Sequence, residues 1–333
     1  MINLTNPLID FALTAVQQAA LLAQEIQDEM ISPAITKEDR SPVTVADFAA
    51  QAVVGYYLER RFNQLSLVGE ENAGVLKTAA GADTLEKITE FVSRIIPGVT
   101  PGEVCDYIDR GEGEVEDRYW TLDPIDGTKG FLRGDQYAVA LGYVEEGEVQ
   151  VGVLGCPNLP PEKLGDLVGQ GSLLVASRGE GSWLTVLEQS PAEQSFTRIF
   201  VSTQADPAQA RVLRSFESGH TNVSQIDRFQ EVVGTGLEPV RMDSQAKYAL
   251  LAAGEGEIYL RLLSADQKDY REKVWDQAAG SLLVEEAGGI VTDLDGTALD
   301  FSRGRRLTRN RGLCATNGVL HQQTLQALKE LDA

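Results

Sequence analysis

Asp123 and Asp126 stand three apart across Pro124, at the end of the apolar stretch Tyr119–Asp123 and just before Gly127 and Thr128. A strand that ends in two carboxylates and a free carbonyl, that of Ile125, offers three hard oxygen donors within one turn. Mg²⁺ takes such donors and keeps several waters. Pro124 lacks a backbone donor and is expected to stop the strand. Gly127 and Thr128 then open a loop whose amides could face a phosphate. The same residues also favour a plain surface turn, since Asp, Pro and Gly are turn formers. The bare Asp-x-x-Asp-Gly pattern does not decide between the two.

Three other places supply carboxylates. Glu70 and Glu71 follow a short apolar strand, Asp276 follows Trp275 at the start of a helical pattern, and Asp47 closes Thr44-Val-Ala-Asp47. Each has a structural reading as well. Asp276 suits a helix N-terminus, Thr44 and Asp47 have capping-box spacing, and Glu71 can be solvated surface. His220 and His321 are the sole imidazoles, and Cys105, Cys156 and Cys314 form no CxxC pair. A metal here would therefore be held by oxygen, and neither a zinc site nor a disulfide framework is indicated.

The elements that must position these groups can be read from periodicity. Residues 7–27 carry Leu8, Phe11, Ala12, Ala15, Val16, Ala19, Leu22, Ala23 and Ile26 at helical spacing, with Asn6 as cap and Pro7 at the first position. After the polar loop Lys37 to Pro42, a second helix is expected behind Thr44 as N-cap, burying Ala52, Val53, Tyr56 and Tyr57. Leu65–Val68 reads as a strand, 83–96 as a third helix, and 97–119 as loop rich in Gly and acidic residues. Tyr137–Val144 and Val149–Leu154 flank Glu145-Glu146-Gly147-Glu148, a hairpin signal, and strand-like pieces continue to about Leu187. The polar segment Glu188–Gln194 is the candidate boundary between a first domain, 1–190, and a second, 191–333. Beyond it, strand candidates (Ile199–Ser202, Glu238–Met242, Glu257–Leu262, Gly289–Val291) alternate with helix candidates (Pro207–Phe216, Gln245–Ala253, Trp275–Ala287, Val319–Leu331). This alternation points to an α/β second half.

The 333 residues favour two domains over one. They include 43% apolar and 24% charged residues, as in an ordinary soluble globular protein. With 29 basic and 50 acidic residues the net charge is −21, so nucleic acid and anionic membranes are poor partners. No apolar run approaches the roughly 20 residues that span a bilayer, and the N-terminus does not read as a signal peptide. A reducing cytoplasm is the expected compartment. So acidic a surface also repels a phosphorylated metabolite, and bound metals, Lys and Arg would have to invert the field locally.

Taken together, Asp47, Glu70, Asp123-Pro-Ile-Asp-Gly-Thr128 and Trp275-Asp276 resemble, in order and spacing, the inositol monophosphatase-like superfamily of metal-dependent, lithium-sensitive phosphatases. Within it the chain is most similar to the 3'(2'),5'-bisphosphate nucleotidase branch, through Gly127-Thr-Lys-Gly-Phe-Leu-Arg-Gly134 and Asp243-Ser-Gln-Ala-Lys-Tyr248. The similarity runs from about residue 10 to 325. It implies a layered α-β-α-β-α sandwich, with an α+β first domain and an α/β second domain. It implies that Glu70, Asp123 and the Ile125 carbonyl hold one Mg²⁺, and that Asp123, Asp126 and Asp276 hold a second. A third, mostly hydrated ion beside Glu70 is allowed. Asp47 and Thr128 would position and deprotonate the attacking water. Gly127 and Thr128 would contact the scissile phosphate, with Asp276 also at the substrate. His220, Ser244, Lys247 and Arg261 would bind the nucleotide and its second phosphate. The implied reaction removes the 3'-phosphate of 3'-phosphoadenosine 5'-phosphate, and the phosphosulfate analogue is a further candidate substrate. A monomer or weak homo-oligomer is expected.

Two departures from the branch pattern bear on substrate preference: Gln277 stands where His is common, and His220-Thr-Asn-Val223 lacks the second His of an H-x-x-H. The alternatives are an inositol monophosphate or fructose 1,6-bisphosphate phosphatase of the same superfamily, and a non-catalytic nucleotide sensor. Asp293-Leu-Asp295-Gly-Thr297 imitates the nucleophile motif of haloacid dehalogenase-like phosphatases. Those enzymes need a downstream Lys and further acidic residues on later strands, however, and only Lys329 follows. A hairpin turn is the better reading. The basic run Arg303, Arg305, Arg306, Arg309 and Arg311 reads as a solvated loop.

Overall fold

The apolar faces of the chain divide it into five layers. The computed structural model describes residues 2–29, 35–36, 42–43, 45–189, 195–216, 223–263 and 269–331. The first layer is helical: α1 (Pro7–Glu29) and α2 (Val45–Phe62), with α3 (Ala82–Ser93) and α4 (Pro101–Asp109) beside α2. Asn6 caps α1 as expected, accepting from the Leu8 amide at 3.0 Å. The expected cap of α2, Thr44, lies outside the described residues. A two-stranded ribbon, β1 (Ile35–Thr36) and β2 (Pro42–Val43), precedes α2.

The second layer is a seven-stranded sheet. In order it is β3 (Ser66–Gly69), β4 (Arg118–Asp126), β5 (Ala138–Glu145), β6 (Glu148–Cys156), β7 (Ser172–Ser177), β8 (Gly181–Val186) and β9 (Thr197–Ile199). Only β3 and β4 run parallel; the other pairs are antiparallel. Strand residues alternate between two cores because successive side chains point to opposite faces. Trp120 and Leu122 pack toward α1 and α2, whereas Tyr119 packs toward the third layer. After the short helix α5 (Thr128–Arg133) the chain returns as β5.

The third layer is α7 (Ala246–Ala252) and α8 (Ala278–Glu286), sandwiched between the two sheets. The fourth is a five-stranded sheet with the order β11 (Val240–Arg241), β10 (Val212–Arg214), β12 (Ile258–Arg261), β14 (Leu313–Thr316), β13 (Ile290–Thr292). β10 is parallel to both its neighbours, and β14 is antiparallel to both of its own. The fifth layer is α6 (Val223–Val233) and α9 (His321–Glu330). Ile258 and Leu260 pack toward this outer layer and Tyr259 toward the middle one. The α-β-α-β-α order implied by resemblance is therefore the order found. Among the described residues no helix is long and apolar enough to cross a membrane.

Four local expectations are corrected. Residues 97–119 are not all loop: Thr100, Pro101 and Glu103 start α4 with a complete capping box, the Thr100 hydroxyl accepting from the Glu103 amide at 3.3 Å. The T-x-x-E spacing was present in the sequence but obscured by the surrounding Gly and acidic residues. The expected helix Pro207–Phe216 shrinks to one 3₁₀ turn, Pro207–Gln209, followed by β10. Val212 and Leu213 serve opposite cores, the signature of a strand. Ile199, read as opening the second half, belongs to β9 on the edge of the first sheet. Pro124 does not end β4, which continues to Asp126 through an irregularity in its pairing with β5.

Close approach of α8 to the first sheet depends on small residues. A Cβ at Gly152 would lie 2.7 Å from the Ala279 carbonyl oxygen, which is backbone and cannot swing aside. We expect Gly152→Ala to cost about 1–3 kcal/mol by overpacking. In a thermal melt this reads as a midpoint lowered by several degrees. An unchanged midpoint would show that α8 has slack against the sheet.

Candidate active site

β3 and β4 run parallel, so both strands deliver their C-terminal ends to the same edge. Gly69 is in register with Leu122, and the Glu70 amide donates to the Leu122 carbonyl at 3.2 Å, which sets Glu70 beside Asp123. Asp123 pairs with Ala140 and Asp126 with Ala138, so β4 spends three steps where β5 spends two. In a regular strand, residues three apart point to opposite faces. The one-residue bulge returns Asp126 to the side of Asp123. Pro124, which has no donor for the ladder, sits within it. Ile125 then turns its side chain into the helical core on the other face and is 1% exposed.

Asp47 is the third residue of α2, and Asp276 lies just before α8. Asp47 and Asp123 are only 2% and 3% exposed, so neither is a solvated surface acid. Burial pushes the Asp123 carboxyl well above the ordinary carboxylate range, and Glu70, Asp126, Asp276 and Asp47 all push it further. Burial raises Asp126 too, while Lys247, Arg261 and the Gln245 amide, 2.6 Å from its Oδ2, pull it back. Asp276 is raised well by burial against the pull of Arg261, with Glu272, Asp126 and Glu70 adding to the rise. The carboxylates found at four separated places in the sequence thus share one electrostatic site.

The donor set fits a hard divalent cation. Oδ1 of Asp123 is buried with no hydrogen-bond partner, and the convergent groups are oxygen donors, as Mg²⁺ and its relatives require. Among the described residues no three acidic, His or Cys side chains already form a group that could hold an ion. The convergence is one of charge, and a cation is what would offset the mutual repulsion.

Gly127 adopts φ 91° at the start of α5, and a Cβ there would meet the Ser244 Cβ at 2.9 Å. A side chain is excluded on both counts. The Thr128 hydroxyl donates to the Ile125 carbonyl at 3.3 Å. Ser244 itself sits at φ 66°, an uncommon backbone for a residue with a side chain. The Lys247 ammonium holds this turn by donating to the Ser244 and Met242 carbonyls at 2.7 and 3.1 Å. Burial, with Arg261 adding, lowers the Lys247 amine to about 8, while Asp126 and Asp243 oppose the fall. Arg133, from the Gly-Thr-Lys-Gly-Phe-Leu-Arg-Gly segment, is ion-paired to the buried Asp243. The two segments that suggested the nucleotidase branch therefore lock each other.

Arg261 ends β12 and lies 3.1 Å from Oε1 of the buried Glu272, as an ion pair whose Nε–H is not aimed along the hydrogen-bond line. Glu272 accepts from Gln277 at 2.9 Å, and Gln277 accepts in turn from the Tyr248 hydroxyl. Gln277 is therefore an internal strut behind Arg261. His220 lies outside the described residues. Asp293 is no nucleophile: its Oδ1 accepts from the Asp295 and Thr297 amides at 3.0 and 2.8 Å, closing the expected turn.

Sequence reasoning missed three residues that hold the site. Gln51, one helical turn after Asp47, accepts from the Glu71 amide at 3.0 Å and donates to the Glu71 and Ile108 carbonyls at 2.6 and 2.7 Å. A buried carboxamide one turn from an acid gives no sequence signal of its own. Gln245 donates to the Trp275 carbonyl at 3.0 Å and accepts from the Gly280 amide at 3.2 Å, tying α7 to the Asp276 turn. Arg305, read as part of a solvated loop, is half-buried and bonded to the Gly69 carbonyl. Arg303, Arg306 and Arg309 are the exposed members of that run.

Gln51→Leu would remove the bonds to the Glu71 amide and carbonyl in a buried site, while the Ile108 carbonyl keeps the Gly111 amide, at a cost of about 1–3 kcal/mol. We expect a lower thermal midpoint and faster hydrogen exchange at the Glu71 amide. Unaltered exchange would show that β3–β4 pairing alone holds the segment.

The sequence matches the inositol monophosphatase family over residues 5–333. It is 42% identical over 337 residues to a 3'(2'),5'-bisphosphate nucleotidase of Oryza sativa, covering 95% of this chain and 92% of the relative. It is 39% identical over 340 residues to a protein of the same name from Emericella nidulans, covering 95% and 96%. Among solved structures, Thermotoga maritima IMPase superposes with a TM-score of 0.66 over 97% of each chain at 22% identity, a likeness of fold. The family is generally metal-dependent, in keeping with the unpartnered Asp123 oxygen and the all-oxygen donor set. With the same layered sandwich and nearly the full length matched, the chain belongs to the inositol monophosphatase family.

Proposed function

We propose that the chain is a Mg²⁺-dependent phosphatase that hydrolyses the 3'-phosphate of 3'-phosphoadenosine 5'-phosphate to give AMP and inorganic phosphate. The observation that carries this reading is the electrostatic convergence of Glu70, Asp126, Asp276 and Asp47 on the buried Asp123, with Lys247 and Arg261 acting on Asp126. A carboxylate site next to buried cations suits an ester that carries one phosphate to be cleaved and another to be held. The names of the Oryza and Emericella relatives support the nucleotide as substrate.

Glu70, Asp123, the Ile125 carbonyl, Asp126 and Asp276 would hold two Mg²⁺, and a third is allowed beside Glu70. Bound there, the ions would supply positive charge to the phosphoryl and leaving oxygens and favour deprotonation of water. Asp47, withdrawn from solvent in the first turn of α2, would accept the proton of the attacking water, with Thr128 orienting it. The backbone at Gly127 and Thr128 would contact the phosphate to be cleaved. Arg261, oriented by Glu272 and backed by Gln277, would meet the other phosphate through its planar fork of donors. Lys247 would add charge while holding the Ser244 turn. Ser244 and His220 are the remaining proposed nucleotide contacts. The protein would work in the cytoplasm as a monomer or weak homo-oligomer, clearing the nucleotide by-product of sulfate activation and transfer. The phosphosulfate analogue is a second candidate substrate.

Asp47→Asn should lower kcat by about 10²–10⁴-fold, the span of a lost general base, with the thermal midpoint retained. Asp123→Asn should do at least as much damage. Near-normal turnover in either folded variant would refute the mechanism.

Phosphate release should be compared for 3'-phosphoadenosine 5'-phosphate, inositol 1-phosphate and fructose 1,6-bisphosphate, each with Mg²⁺ and with or without lithium. The nucleotide should have the highest kcat/KM, and lithium should inhibit. Arg261→Ala should raise KM for the bisphosphate more than for monophosphate esters. Preference for a sugar or inositol ester would leave the carboxylate site standing and overturn the substrate. No release from any of the three would favour a nucleotide sensor.

A further inference from the structure

Arg305 lies on the loop between β13 and β14, far in sequence from every carboxylate of the site. Its Nη2 donates to the Gly69 carbonyl, and its Nη1 donates to the Gly111 and Gly113 carbonyls at 3.2 and 3.3 Å. Gly69 immediately precedes Glu70. The same guanidinium lies over the Trp275 ring, 4.9 Å from its centroid, and Lys273 lies 5.0 Å from that ring as well. Trp275 is buried and immediately precedes Asp276. The main chain of the loop adds to the grip. The Arg305 carbonyl accepts from the Val274 amide at 3.2 Å, and the Leu307 amide donates to the Glu272 carbonyl at 2.9 Å.

One side chain therefore touches the residue before Glu70 and the residue before Asp276. Glu70 follows a strand of the first sheet, whereas Asp276 comes from the turn into α8. These two carboxylates repel each other, so nothing in their own chemistry brings them together. Burial costs the guanidinium, lowering its pKa, with Glu112 and Glu114 opposing the fall. Its five donors lie in a rigid planar fork that can bond three carbonyls while the face stacks on an indole. A Lys ammonium can do one of these things at a time. Arg309, on the same loop, is exposed and paired with Asp300 at 3.2 Å, so it shares the charge but not the contacts.

We propose that Arg305 is a positioning residue of the metal site, fixing the Gly69–Glu70 strand end against the Trp275–Asp276 turn so that both carboxylates can share divalent cations. The inference rests on the reading of Glu70 and Asp276 as metal ligands. It assigns Arg305 no contact with substrate. Its effect should therefore appear in metal affinity, and in KM only through the metal.

The test is a titration of the full-length protein with Mn²⁺, with free ion read by electron paramagnetic resonance and a thermal melt in chelator run alongside. Arg305→Ala should raise the Mn²⁺ dissociation constant tenfold or more. Arg305→Lys should fall between it and the unmodified protein, and Arg309→Ala should bind normally. Glu70→Gln provides the reference for a lost ligand. If it binds weakly while both Arg305 variants bind Mn²⁺ normally, the proposal is overturned and the ligand assignment stands, even where Arg305→Ala melts early. If Glu70→Gln binds normally, the ligand assignment itself fails and takes the proposal with it. Should Arg305→Ala not fold, Arg305→Lys against Arg309→Ala decides the question alone, and equal affinities would overturn it.

Discussion

Mutual repulsion among the carboxylates around Asp123 is the constraint to which much of the surrounding structure answers. Burial makes Asp123, Asp126 and Asp276 harder to ionise, and neighbouring carboxylates add to the rise at Asp123 and Asp276. Left to flexible loops, they would separate or take up protons. They are instead mounted on elements whose positions are fixed by packing elsewhere. Glu70 follows a strand in parallel register with β4, Asp123 and Asp126 flank a bulge, and Asp47 is in the first turn of a helix buried along most of its length. Asp276 enters α8, which lies against a glycine of the first sheet with no room for a methyl group. Struts of neutral or opposite character, Gln51, Gln245 and Arg305, hold the backbone beside the acids and leave the acids themselves to do chemistry.

The same economy governs the cations. A protein with net charge −21 must concentrate positive charge where a phosphate would bind. Arg261 and Lys247 act on Asp126, Arg133 is tied to the Asp243 segment beside them, and each is secured by internal partners: Glu272 for Arg261, two backbone carbonyls for Lys247 and Asp243 for Arg133. Securing a cation lowers the entropy lost when an anion arrives, at the cost of weakening its charge. Gln277 illustrates the balance. At this position a neutral carboxamide, bonded to Glu272 and Tyr248, holds the partner of Arg261 without adding charge of its own.

Much of the fold was legible where one apolar period persists over many residues. The α1 pattern was read to within two residues of its end, and the β5–β6 hairpin nearly in full. Reading failed where elements are short or their signals compete. The capping box of α4 was hidden among Gly and acidic residues, and the 207–216 segment is too short for its period to separate strand from helix. Pro124 was a sound reason to end a strand, and it was overruled by a bulge that only a neighbouring strand can reveal.

The sequence by itself determined the chemistry on offer: hard oxygen donors in place of imidazole or thiolate, a glycine where a turn needs positive φ, and the motif order of a family. Residue type sets donor hardness, charge and backbone freedom, and these are properties of the single residue. Tertiary structure decided which of those groups meet. It placed Asp126 on the side of Asp123, made Gln277 internal, and turned one arginine of a basic run into a brace between Gly69 and Trp275 while leaving Arg309 in solvent. Proximity between residues scores or hundreds of positions apart depends on sheet register and on how closely layers can approach, and both are settled by the packing of many side chains at once.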